Sequence, residues 1–132
     1  MASESTTPAD ATASDGAAGN DKGRALSLVS RALVRLYKEQ FGRGPETAQS
    51  YFAGPDTLIC VLADSLTPVE RSMLEMGERQ RLRDIRMLFQ CATETKFRAA
   101  VEEATGRKVR AFMSGMDVDE DLACEIFVLE PL

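Results

Sequence analysis

Phe41-Gly42-Arg43-Gly44-Pro45 separates a helical pattern from a strand pattern, and the reading of the whole chain turns on it. Before it, Leu26, Val29, Leu33, Leu36 and Tyr37 recur at helical spacing, while Arg31, Arg35, Lys38 and Glu39 lie off that stripe. An amphipathic helix is expected over about Arg24 to Phe41. Gly42 and Gly44 stop it, and Pro45 prevents its resumption. After the break, Thr47 to Ala53 and the nearly all-apolar Thr57 to Ala63 read as two strands, with Tyr51 and Phe52 on opposite faces of the first. Ala53-Gly54-Pro55-Asp56 supplies the turn between them.

Further along, Thr67-Pro68-Val69-Glu70 has the form of a helix start. Thr67 caps, Pro68 suits the first helical position and Glu70 completes a capping box. This helix is expected to reach Met76, with Gly77 as a break. A long helix follows from about Glu78 to Ala104, with Leu82, Ile85, Phe89, Ala92, Phe97, Val101 and Ala104 as its apolar stripe and Gly106 as its cap. At 1.5 Å per residue it would run roughly 40 Å, long enough to cover a sheet or reach into a partner. On that ground a homodimer is expected. Two last strands are placed at Lys108 to Ser114 and Leu122 to Leu129, joined by a turn over Gly115 to Asp121. The order α-β-β-α-α-β-β, with short connections, predicts an α+β two-layer sandwich. Its four-stranded sheet is mostly antiparallel, with the helices on one face.

Residues 1 to 22 hold no apolar side chain larger than alanine after Met1, a composition that reads as a disordered tail. Residues 23 to 132 then form one domain. The tail carries −3 of the net −5, so the rest is nearly neutral and lacks the basic footprint of a nucleic-acid binder. No stretch approaches the ~18 apolar residues of a membrane span, and no basic and apolar leader opens the chain. A cytoplasmic location without direct membrane insertion is expected. Cys60, Cys91 and Cys124 are odd in number, widely spaced and in apolar segments, so they read as small buried hydrophobes. The chain has no histidine, which removes Ser-His-Asp and Cys-His catalysis and imidazole metal ligands. Asp117, Asp119, Glu120 and Asp121 fail as a calcium loop, because Leu122 and Val128 stand where glycine and glutamate are required. No catalytic residue, cofactor or metal is predicted, and the protein is expected to act by binding and not as an enzyme.

Two groups remain as candidate binding sites. Gly42, Arg43, Gly44 and Pro45 place one guanidinium among backbone amides, suited to an anion or a partner's carboxylate. The same four residues also suffice as a helix stop with Arg43 solvated, and both readings stand at this point. No phosphate loop is present, since neither Gly-Lys-Ser/Thr nor a third glycine at Thr47 follows. Arg79, Arg81, Arg83 and Arg86 crowd the start of the long helix, with Arg79, Arg83 and Arg86 near one face and Glu75 and Glu78 close by. They read as a solvated, ion-paired face or as a surface for an acidic partner.

The succession Leu36-Tyr37-Lys38-Glu39-Gln40-Phe41-Gly42-Arg43-Gly44-Pro45, Leu58-Ile59-Cys60-Val61-Leu62, Leu66-Thr67-Pro68-Val69-Glu70-Arg71, Phe97 through Val109, and Phe127-Val128-Leu129-Glu130 resembles the MpsC-like family of small bacterial proteins. The resemblance covers about residues 24 to 130. Its matching signature residues are Gly42, Arg43, Gly44, Pro45, Thr67 and Glu70. It implies a link to a Na+-translocating, membrane-potential-generating system whose neighbouring components are membrane proteins of cation and inorganic-carbon transport. It supplies no catalytic residues. The function expected from it is a cytosolic accessory or regulatory subunit with a membrane transport protein as partner, associated with the membrane only through that partner. The alternatives are a small-molecule or anion sensor built on Arg43, and an enzyme using a carboxylate or lysine.

Overall fold

The computed structural model describes residues 16–132. Helix α1 spans Gly16–Phe41, strands β1 and β2 span Thr47–Phe52 and Thr57–Ala63, and helices α2, α3 and α4 span Pro68–Glu75, Arg79–Ala92 and Glu94–Thr105. Strands β3 and β4, Val109–Asp117 and Leu122–Leu129, close the chain. The sheet order is β1-β2-β4-β3, antiparallel throughout. The α+β class and the antiparallel sheet are as expected, but the order gains a helix.

That helix comes from a break. The single helix expected over Glu78 to Ala104 is interrupted at Thr93, whose backbone leaves helical geometry at φ −104°, ψ 5°. The Thr93 hydroxyl bonds back to the Phe89 carbonyl at 2.8 Å, a contact that competes with the ladder and bends helices. The ~40 Å rod is therefore absent, and the expectation of a dimer loses the ground it stood on. Helix α1 differs in the other direction. It starts at Gly16, so residues 16–22, expected in the disordered tail, are helical; once α1 is nucleated each added residue gains a bond. The Lys22 ammonium lies 5.6 Å from the Phe52 ring centre and ties this end to β1. The rest of the expected tail lies outside the described residues.

Val29, Leu33, Leu36 and Tyr37 of α1 and Phe97 and Val101 of α4 pack on the inward residues Leu58, Cys60 and Leu62 of β2 and Ala123, Phe127 and Leu129 of β4. Most of these side chains are fully buried, each contributing about 2 kcal/mol of apolar transfer. Tyr37, Phe97, Phe112 and Phe127 stack in tilted sequence through the layer. A smaller cluster of Leu66, Leu82 and Val118, with Met73, Leu74 and Met116 packed against it, holds α2 and α3. Strand β3 continues to Asp117, three residues past the expected end, and a bulge lies between Val109 and Ala111. All four described helices pack on one side of the sheet.

Candidate functional site

The loop after α1 is built as its glycines require. Gly42 takes φ +81°, where a Cβ is strained, and its N–H caps the helix on the Lys38 carbonyl at 2.9 Å. Gly44 serves a different need. A Cβ there would sit 3.3 Å from both Val34 Cγ1 and the Val34 carbonyl oxygen, so the chain passes directly over α1. Pro45, which follows it, is buried. Arg43 is not solvated punctuation. Its Nη1 donates to the Leu66 carbonyl at 2.8 Å, and Nη2 lies 3.4 Å from Glu46.

Leu66 belongs to a short segment, 65–67, on which the side chains of four residues outside it converge: Arg43, Glu70, Arg86 and Asp121. The Asp121 carboxylate, at the left-handed corner of the β3–β4 turn, accepts the Ser65 N–H at 2.9 Å and the Leu66 N–H at 3.2 Å, and Arg71 pairs with it at 2.9 Å. Thr67 and Glu70 form the capping box of α2 as expected, with Thr67 N–H to Glu70 Oε1 at 2.9 Å and Glu70 N–H to Thr67 Oγ1 at 3.2 Å. Glu70 is also one arm of a bidentate ion pair. Arg86 Nε donates to Oε2 at 2.8 Å and Nη2 to Oε1 at 2.6 Å. Arg86 Nη2 further reaches the Ser65 carbonyl at 3.0 Å, and its guanidinium lies 3.7 Å over the Phe41 ring. Burial raises the Glu70 carboxyl, but the Arg86 bonds, the Thr67 amide and the Arg86 charge outweigh it and leave the group more acidic than usual.

This geometry corrects the arginine patch. Arg86 is 1% exposed, and each of its three nitrogens bonds to Glu70 or Ser65. Arg79 is exposed and bridges to Asp119 at 2.7 Å, while Arg83 Nε is buried without a protein partner among the described residues. Arg79, Arg83 and Arg86 therefore do not form one solvent-facing surface. The inward residues of α3 are Leu82, Arg86 and Gln90, whereas Phe89, expected in the stripe, is 42% exposed beside Leu88. Two cysteines depart from expectation as well: Cys60 is buried, but Cys91 is exposed and Cys124 partly so.

Arg86 adjoins a second polar group inside the core. Glu125 on β4 is fully buried, and Tyr37 donates to its Oε2 at 2.5 Å. Gln90 Nε2 donates to the same oxygen and lies 2.8 Å from the Tyr37 hydroxyl and 3.3 Å from Ser114 Oγ. Oε1 has no partner among the described residues. Burial pushes the Glu125 carboxyl up to about 7, against the opposing bonds from Tyr37, Ser114 and Gln90. Burial, with the Glu125 charge, likewise pushes Tyr37 well above the usual phenol range. Neither Glu125 nor Gln90 was marked by sequence pattern; the only signal was a charge at an inward position of an apolar strand.

Of the expected site residues, the structure brings Arg43 and Arg86 to the same segment and holds both in place with protein partners. Among the described residues, no group of His, Cys, Asp and Glu is arranged to hold a metal ion. A family model described as Na+-translocating membrane potential-generating system (MpsC) matches residues 21–131. No curated protein and no solved structure matches the chain.

Proposed function

Because the chain belongs to the MpsC family, we propose that it serves a Na+-translocating, membrane-potential-generating system as a non-catalytic accessory or regulatory subunit on the cytoplasmic side. The observation that carries this reading is the family match over nearly the whole chain. Among the described residues no helix is long and apolar enough to cross a membrane, which supports assigning ion passage to a partner. The chain would then reach the bilayer through that partner.

A surface suited to such a partner lies on α1. Arg31, Arg35 and Lys38 are exposed along one ridge, beside a groove of about 480 Å³ that also takes in Ser30, Val34 and Ala48. An acidic segment of a membrane protein fits this ridge by charge. The Arg43 sensor reading draws less support, since both terminal nitrogens of that guanidinium already meet protein oxygens.

The test is affinity capture of the tagged chain from detergent-solubilised membranes of its native host, followed by mass spectrometry. Recovery of an ion-transport subunit, lost in the Arg31→Ala/Arg35→Ala/Lys38→Ala variant and kept in Arg79→Ala, supports the reading and places its surface. Recovery of the chain alone from membranes that contain the transport system counts against it.

A further inference from the structure

The outward face of the sheet breaks the alternation that a half-exposed antiparallel sheet normally shows. Such sheets carry apolar residues inward and polar residues outward. Here both central strands are largely apolar on the outward side as well. Outward positions of β2 are Thr57, Ile59, Val61 and Ala63, and those of β4 are Leu122, Cys124, Ile126 and Val128. The pairing register sets them in rows that cross all four strands. Tyr51, Ile59, Ile126 and Met113 form one row, and Gln49, Val61, Cys124 and Gly115 the next. Polar groups sit at the rim, at Thr47, Gln49 and Asp117, and Asp117 carries the only charge in these cross-strand rows. No described helix covers this face, and Met113 and Leu122 on it are 52% and 42% exposed.

An apolar centre with a polar rim is the anatomy of a protein interface. Four strands about 4.8 Å apart and about 22 Å long give a projected face of ~400 Å² per copy, already near the largest patch a monomer leaves exposed. Side-chain relief increases that figure. Two such faces together bury on the order of 1,000 Å², the lower bound of a specific interface. With its centre uncharged, the face meets a second copy without like-charge repulsion, and two sheets stack about 10 Å apart by interleaving their side chains.

We propose that this outward sheet face is the isologous interface of a homodimer. Each copy contributes its Ile59, Val61, Ile126 and Met113 to the centre, and the helical layers face away. The inference is independent of the membrane-system reading, because it concerns the purified chain alone.

Light scattering of the full chain from micromolar to several hundred micromolar tests it. The expected result is a dimer mass at the upper end. Val61→Lys and Ile126→Lys should each raise the dissociation constant at least tenfold, about 1.4 kcal/mol, while retaining a folded circular dichroism spectrum. Leu88→Lys, on the exposed side of α3, should leave the dimer intact. Should both lysine variants fail to fold, thiol alkylation of the unmodified chain still decides the matter. Cys124 labelling should slow as concentration rises, with exposed Cys91 as the internal standard. A monomer at every concentration, a dimer that survives both lysine variants, one lost in Leu88→Lys, or Cys124 labelling independent of concentration overturns the proposal. The face would then await a different partner.

Discussion

Glu125 is a buried carboxyl group whose bonds come from a tyrosine and an amide, not from a cation. Burial holds its proton to about pH 7, against 4.5 for a freely solvated glutamate. Between those values the folded state keeps a proton that the unfolded state has released. Stability therefore falls as pH rises from about 4.5 to about 7 and levels off above, by on the order of 3 kcal/mol. Glu125→Gln mimics the neutral form and should remove this slope, gaining on the unmodified protein toward pH 8. Urea titrations of both proteins between pH 5 and pH 8 measure it, and parallel slopes would refute the assignment. Arg86 presents the opposite case, a buried cation held by a carboxylate. Arg86→Met strands Glu70 at the segment beneath and should cost about 3–5 kcal/mol. A paired Arg86→Met/Glu70→Gln variant should recover part of that loss, which a double-mutant cycle by denaturant unfolding would read as coupling. Neither role was legible in the sequence. Arg86 sits among other arginines at a helix start, and periodicity assigns such a residue to solvent unless its carboxylate partner is known.

The elements show where pattern reading succeeds and where it stops. Helix α1, the four strands and the capping box of α2 were legible because each has a local cause: an apolar stripe, a turn residue or a cap. Thr93 was not, since one threonine within a continuous helical pattern carries no mark until its hydroxyl is seen on the Phe89 carbonyl. The inward face of α3 was misassigned for a related reason. Its partners Glu70, Tyr37 and Glu125 are remote in sequence, and they draw Arg86 and Gln90 inward and leave Phe89 half outside. The loop after α1 was located correctly, but the two glycines were given one role where they have two. Gly42→Ala should cost about 1–2 kcal/mol through its left-handed backbone. Gly44→Ala should cost about 1–3 kcal/mol through its contact with the Val34 carbonyl, which cannot rotate away. The two losses separate in a rescue experiment. Trimming Val34 should not repair Gly44→Ala if the carbonyl is the obstacle, and should repair it if Cγ1 is. Thermal melts of the single variants and of Gly44→Ala/Val34→Ala decide between them.

Across the whole molecule, stability is divided unequally. The main cluster joins α1, α4 and the sheet through thirteen buried residues, whereas α2 and α3 rest on three, Leu66, Leu82 and Val118, plus the polar ties at 65–67. Few buried apolar contacts mark a unit that opens before the rest. The segment from Ser65 to Gln90 should therefore exchange its amides through a sub-global opening of lower free energy than that of α1, β2 and β4. Native-state hydrogen exchange across a denaturant series would measure this. The ties make the prediction specific. Arg43 and Asp121 hold this segment from outside it, while Arg86 and Glu70 hold it from within. Arg43→Ala removes one bond to the Leu66 carbonyl, worth about 1 kcal/mol. It should lower the opening free energy of residues 65–90 by about that amount and leave exchange in α1 and α4 nearly unchanged where that exchange is also sub-global. An equal loss across every element would mean that α2 and α3 open only with global unfolding. The arginine signature would then stabilise the domain as a whole and not one detachable unit.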